Sequence, residues 1–153
     1  MIENGAFRAP DANYHARITD SFNRQGFMRL VGARIEALAP GQCIIAADFR
    51  DDLAQQHGFF HGGLVGALAD NAGAYAAFTL IDATQSMLTV EYKINLLAPA
   101  KGRALKAIGE VVRPGRTLTV SQVRVLVTDD AGEQLCALGT VTMMTLMTRG
   151  DGK

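Results

Sequence analysis

The stretch from Leu64 to Leu80 is the most apolar of the chain, yet it carries Asp70 and Asn71 near its middle. A membrane-spanning helix needs about 20 mostly apolar residues and avoids a central carboxylate. The stretch therefore reads as a buried helix of a globular protein, running roughly from His61 to Leu80. Leu64, Val65, Leu68, Ala69, Ala72, Tyr75, Ala76 and Phe78 cannot share one narrow stripe, so the helix must be enclosed on nearly every side.

The rest of the chain supplies the enclosure. Tyr14, Ile18 and Phe22 recur at four-residue spacing and predict a first helix over about 11–24, stopped by Gly26. Two β-prone runs, 30–38 and 43–50, flank Pro40-Gly41 and predict a hairpin. After the long helix almost everything predicts strand: 87–97, 105–112, 118–127 and 135–147, with turns at 99–102, 113–116 and 129–132. In the first of these, Leu88, Val90, Tyr92, Ile94 and Leu96 alternate with Thr89, Glu91, Lys93 and Asn95. A slip in the pattern near Ser121–Gln122 suggests a β-bulge. Helices segregated from antiparallel strands define an α+β fold, and a sheet curled around the helix is the simplest cover. The 153 residues fit one domain, 1–153, with 1–10 as a loose arm and 148–153 as a frayed tail.

With 15 basic and 15 acidic residues the formal charge is zero, which gives no global field toward nucleic acid or an anionic membrane. The two cysteines, Cys43 and Cys136, lie in apolar alternating runs without CxxC spacing, as buried thiols of a reducing compartment do. The first residues lack the apolar run of a secretory signal, so a cytoplasmic location is expected. His57 and His61 stand four apart, a metal-ligand spacing on a helix. Gly58 and Gly62 speak against helical geometry across the pair and no third ligand is evident, so neither metal nor other cofactor is expected.

The densest motif is Gln55-Gln56-His57-Gly58-Phe59-Phe60-His61-Gly62-Gly63, followed by Leu68-Ala69-Asp70-Asn71. Together with Leu88–Ala100 and Arg113-Pro114-Gly115-Arg116-Thr117-Leu118, it resembles the hotdog-fold acyl-CoA thioesterases of the PaaI-like type. The resemblance covers about residues 27–147. His-Gly-Gly alone is a weak motif; its spacing to Asp70 and the two downstream segments make it specific.

The resemblance implies a long antiparallel sheet around a central helix, an acyl-CoA substrate, and self-association as a homodimer or a dimer of dimers. It implies that Asp70 is the catalytic carboxylate, as general base or nucleophile. A glycine-started helix offers unpaired N–H groups and a partial positive charge, a ready oxyanion site. The N–H of Gly63 is the expected donor, with Gly62 giving room. Asp70 stands seven residues past Gly63, about 10 Å along a helix, too far for one carbonyl to meet both readily. The family's antiparallel packing of two central helices would bring Asp70 of one subunit to the Gly63 end of the other.

Gln55 stands where relatives often carry Asn, and Gln56 could substitute for it. His61 is a candidate for orienting the loop or touching the thioester, with a structural hydrogen bond as the plain alternative. Thr89 matches a hydroxyl position of relatives, although its alternation puts it on the polar face of its strand. His57 and Asn71 are further candidates for binding substrate, and Lys101, Arg113 and Arg116, all near turns, for meeting CoA phosphates. Gly109 permits either close approach of pantetheine or a bulge. Two other readings stay open: an acyl-thioester hydratase using His61 and Asp70, and a non-catalytic acyl-CoA binding module.

Overall fold

A computed structural model describes residues 7–147. Two short helices, α1 (Tyr14–Asn23) and α2 (Gly26–Leu30), precede a hairpin of β1 (Arg34–Ala39) and β2 (Gln42–Asp48). The central helix α3 (Gly62–Phe78) follows, then β3 (Gln85–Leu96), β4 (Ala104–Arg113), β5 (Leu118–Asp129) and β6 (Gly132–Met147). The six strands form one sheet in the order β1-β2-β4-β5-β6-β3, every neighbouring pair antiparallel. Helix α3 packs against every strand from β2 to β6, as its all-round apolarity requires.

The enclosure is nearly complete. Past Gly63 no residue of α3 is exposed, and only Ala67, Asp70, Asn71, Ala74 and Phe78 are half-buried. Their spacing of three or four makes them one stripe along the helix. The opposite face lies directly on the sheet. A Cβ added to Gly109 of β4 would stand 2.2 Å from the Ala72 carbonyl oxygen, a backbone atom that cannot turn aside. Glycine is there to let helix backbone touch strand backbone; neither a bulge nor a pantetheine contact accounts for it. Gly109→Ala is expected to cost about 3 kcal/mol or more. Thermal unfolding should show a loss of about 10 °C in Tm.

Several boundaries differ from the sequence reading. Gly26 opens α2 instead of ending α1. The break falls at Gln25, whose backbone is extended (ψ 110°) while its side chain reaches into the molecule. The residues at 30–32 finish α2 rather than starting a strand. Gly32 ends it at φ 69°, with the Ala33 N–H donating to the Met28 carbonyl at 2.9 Å. The arm is not loose throughout: Phe7 packs on the β1–β2 turn at Gly41. The proposed tail, 148–153, lies outside the described residues.

Two alternation readings change as well. Strand β5 has no slip at Ser121–Gln122. Its inward residues are Thr119, Ser121, Val123, Val125 and Val127, all buried. Ser121 tolerates burial because its hydroxyl donates to the Gly73 carbonyl of α3 at 2.9 Å. The bulge lies on the neighbouring strand, where the register with β5 jumps between Val111 and Arg113. In β3 the unbroken apolar alternation conceals another bulge: Thr89 pairs with Met143 but Glu91 with Thr142, leaving Val90 extra.

Candidate active site

The bulge at Val90 decides where Thr89 points. Upstream of it, buried Met87 and half-buried Thr89 face the helix. Downstream, the alternation restarts one residue out of step, and Tyr92 and Leu96 come against Gly66 and Gly62 of α3. Thr89 is therefore not on a solvent-facing polar stripe: its Oγ1 donates to Asp70 Oδ1 at 2.9 Å. The same Oγ1 lies 3.2 Å from Met143 Sδ, the cross-strand neighbour, but one proton goes to the better acceptor, the carboxylate.

Asp70 is half-buried, with polar Asn71 and Thr89 and apolar Ala74 and Met143 lining the same space. Loss of hydration raises its pKa above the usual 3.8, and the Thr89 hydrogen bond pulls in the opposite direction without cancelling the rise. A carboxyl tuned upward in this way holds a proton more readily than an ordinary aspartate. Thr89→Val removes the opposing hydrogen bond. The acidic limb of the pH–rate profile should then move to higher pH, and Thr89→Ser should leave it in place.

At the other end of α3 the first turn can be accounted for donor by donor. His61 is the N-cap, and its Nδ1 accepts from the Gly63 N–H at 2.9 Å. The N–H groups of Leu64 and Val65 donate to the His61 carbonyl at 2.9 and 3.2 Å. The Gly62 N–H alone has no partner among the described residues. The Gly63 N–H, the donor expected from the sequence, is occupied here by the imidazole of His61. His61 is a capping residue here.

Gly62 lines a groove of about 430 Å³ together with Gln55, Phe60, Leu96, Pro99 and Cys136. Gln55 is held there by the tight loop it closes: its N–H donates to the Phe59 carbonyl at 2.8 Å and its side-chain oxygen accepts from the His57 N–H. Gln56 and His57 sit exposed at the tip of that loop, with their side chains 3.4 Å apart, and line neither the groove nor the Asp70 cavity. Burial pushes the Cys136 thiol up to about 11 and the Cys43 thiol up to about 12, so neither offers a thiolate nucleophile.

Asp70 and Thr89 line a separate cavity of about 300 Å³, shared with Asn71 and Tyr75. Its far wall comes from residues that the sequence did not single out, Ser21 of α1 and Gln25 at the α1–α2 break. Only the spacing of Asn71 and Tyr75, one helical turn apart beside Asp70, could have flagged that wall. Arg113 and Arg116 are exposed around the β4–β5 turn, and neither makes an ion pair among the described residues.

Comparison with known proteins agrees with this geometry. Residues 57–134 match the family model described as the thioesterase superfamily. A Saccharolobus solfataricus protein bearing an esterase name is 30% identical over 82% of this chain and 82% of its own. The crystal structure of a thioesterase family protein from Silicibacter pomeroyi superposes with a TM-score of 0.86 at 42% identity, covering 88% of this chain and 98% of that one. The E. coli PaaI protein of the phenylacetic acid degradation operon shares the fold, with a TM-score of 0.77 at 18% identity over 88% of this chain and 94% of that one. The chain belongs to the thioesterase superfamily. It is a thioester hydrolase with the hotdog fold.

Proposed function

We propose that the protein hydrolyses an acyl-CoA thioester to the free acid and CoA, and does so as a homodimer. The observation that carries this reading is the pairing of two half-sites on one helix. One is the half-buried carboxyl of Asp70, held by Thr89. The other is the unfilled N–H of Gly62, eight residues earlier and so about 12 Å away along the helix. A single thioester carbonyl meets both only if a second copy supplies one of them.

The sheet edges support such a pairing. The β1 edge carries Arg34 and Glu36 in ion pairs, a usual protection against strand addition. The opposite edge, β3, exposes Leu88 (58%), Val90, Tyr92 and Leu96 (59%). Two β3 strands running antiparallel would pair this edge, shield these side chains on both faces and bring two α3 helices together.

In the assembled site the Gly62 N–H receives the thioester oxygen as charge builds on it. Asp70 either takes a proton from the attacking water or attacks the carbonyl carbon itself. In the first route water bonds to the carbonyl carbon, the C–S bond breaks and the proton held by Asp70 passes to the departing CoA sulfur. In the second the C–S bond breaks as an acyl–aspartyl anhydride forms, and the CoA thiolate takes a proton from water. Water then hydrolyses the anhydride to the free acid and restores Asp70. Arg113 and Arg116, neither in an ion pair among the described residues, are on offer to the CoA phosphates. The hydratase alternative is disfavoured by His61, whose Nδ1 is engaged by the backbone. Release of free thiol from a panel of acyl-CoAs tests the proposal. Failure to release thiol from any member, or hydration of an enoyl-CoA without thiol release, would overturn it.

A further inference from the structure

The Thr89–Asp70 pair has a third member, a sulfur that the chemistry above does not use. Met143 of β6 is the cross-strand partner of Thr89, and its Sδ lies 3.2 Å from Thr89 Oγ1. The same hydroxyl donates to Asp70 Oδ1 at 2.9 Å. Acid and sulfur thus meet on one oxygen that has one proton to give. A thioether is a weak acceptor, so the carboxylate takes that proton and the sulfur goes without.

Met143 is also placed to change. Little of it is exposed (4%), but it lines the Asp70 cavity of about 300 Å³, a space ample for a small oxidant. Of the 6 methionines, Met87 lines that cavity too, but its sulfur has no hydroxyl partner among the described residues. Met147 is far more exposed (68%) and lines no part of it. The thiols of Cys43 and Cys136 are kept protonated by burial and compete poorly for an oxidant.

We propose that Met143 is an oxidation site, where a hydroperoxide leaves a sulfoxide whose oxygen competes with Asp70 for the Thr89 proton and so turns the enzyme down. The inference rests on the thioesterase reading, because the oxidant enters by the space that the substrate uses. A lone pair of Sδ attacks one oxygen of hydrogen peroxide and the O–O bond breaks. An S–O bond forms, and the proton on the transferred oxygen passes to the departing hydroxide, giving water. Sulfur loses two electrons and the peroxide gains them. An apolar thioether becomes a polar group with a strong acceptor oxygen. Two strong acceptors then share one hydroxyl proton. Protonating Asp70 supplies the missing one, so the sulfoxide favours the neutral acid, which neither takes a proton from water nor attacks a carbonyl. The cavity walls from α1, β3 and β6 bring no charged side chain against Asp70, and Tyr75 of α3 is the other titratable group lining it.

The test is limited treatment with hydrogen peroxide, with sulfoxide mapped residue by residue by peptide mass spectrometry. Loss of acyl-CoA hydrolysis should track sulfoxide at Met143 and not at Met147. At full Met143 oxidation the acidic limb of the pH–rate profile should stand about one unit higher, a loss of about tenfold at any pH on that limb. Met143→Leu, compared treated against untreated, should keep its profile. So should Thr89→Val, which has no proton to divide. The comparison is internal to each variant and does not depend on how much protein folds. Met143 left unoxidised while Met147 is converted, an unmoved limb at full Met143 oxidation, or an equal shift in either variant would overturn the inference. The Asp70 carboxyl followed by ¹³C NMR reads the same shift without substrate. An upward midpoint there, in a protein that hydrolyses no thioester, would uphold the effect of the sulfoxide on Asp70 and sink only the thioesterase proposal.

Discussion

Asp70→Asn is expected to lower kcat/KM for acyl-CoA hydrolysis by about 10²–10⁴-fold while making the protein more stable at neutral pH. The two effects have one origin. Burial raises the folded-state pKa of Asp70 above its ordinary 3.8, so its neutral form suits the fold better than its charged form. The sign follows by linkage: the contribution of Asp70 to stability is fully present below the ordinary pKa and is lost as pH rises through the folded one. Asparagine, neutral throughout, escapes that loss. Melting curves of the two proteins should therefore diverge in favour of Asp70→Asn above the folded pKa and converge toward pH 3. A variant as active as wild type, or a stability gain that persists unchanged at pH 3, would exclude the proposed role of this carboxyl. Single turnover in ¹⁸O water then tests the nucleophilic route in one direction, since label in Asp70 requires an acyl–aspartyl anhydride opened at the Asp70 carboxyl carbon.

Gly62→Pro should be comparably damaging, by about 10²–10³-fold in kcat, without unfolding the helix. Proline is well accepted at the first helical position, where its missing N–H would have had no helical partner. The residue before it must be extended, and His61 already is, at φ −62° and ψ 134°. The nearest obstacle to a new Cβ is the end of the Leu96 side chain at 3.2 Å, which can shift. The substitution thus deletes one hydrogen-bond donor and little else. It also tests the shared site. Mixed dimers of Gly62→Pro and Asp70→Asn subunits contain one site with both groups intact, so mixing two inactive proteins should restore about a quarter of wild-type activity at equal, statistical exchange. No recovery on verified exchange would place both groups in one chain's own site.

The parts of the molecule that could be read from sequence were those where a local pattern had one physical outcome. An all-round apolar helix must be enclosed, and α3 is. Pro40-Gly41 and the turn after Asp129 each separate two strands, as their residue types demand. The parts that could not be read turned on long-range partners. Leu118 and Val120 look like inward residues of β5, but Thr119 and Ser121 take that side, and Ser121 does so with a helix carbonyl to satisfy it. Leu88 to Leu96 look like one buried face, but the strand lies at an edge of the sheet and is broken by Val90. The position of Asp70 on the enclosed helix was legible in the sequence. Which of the Gly62 and Gly63 N–H groups is left unpaired was not, because it depends on which way the His61 ring turns. Gln25 carried no local signal at all; its contacts lie 46 and 50 residues away.

The extra residue at Val90 divides β3 into two independently phased segments. The upstream segment sets the hydroxyl beside the acid. The downstream segment shapes the groove in front of the helix start. Because the phase resets between them, a substitution in one segment need not rotate the other. A lineage can therefore retune proton transfer and ligand seating separately on a single strand, a freedom that a regular strand would deny it.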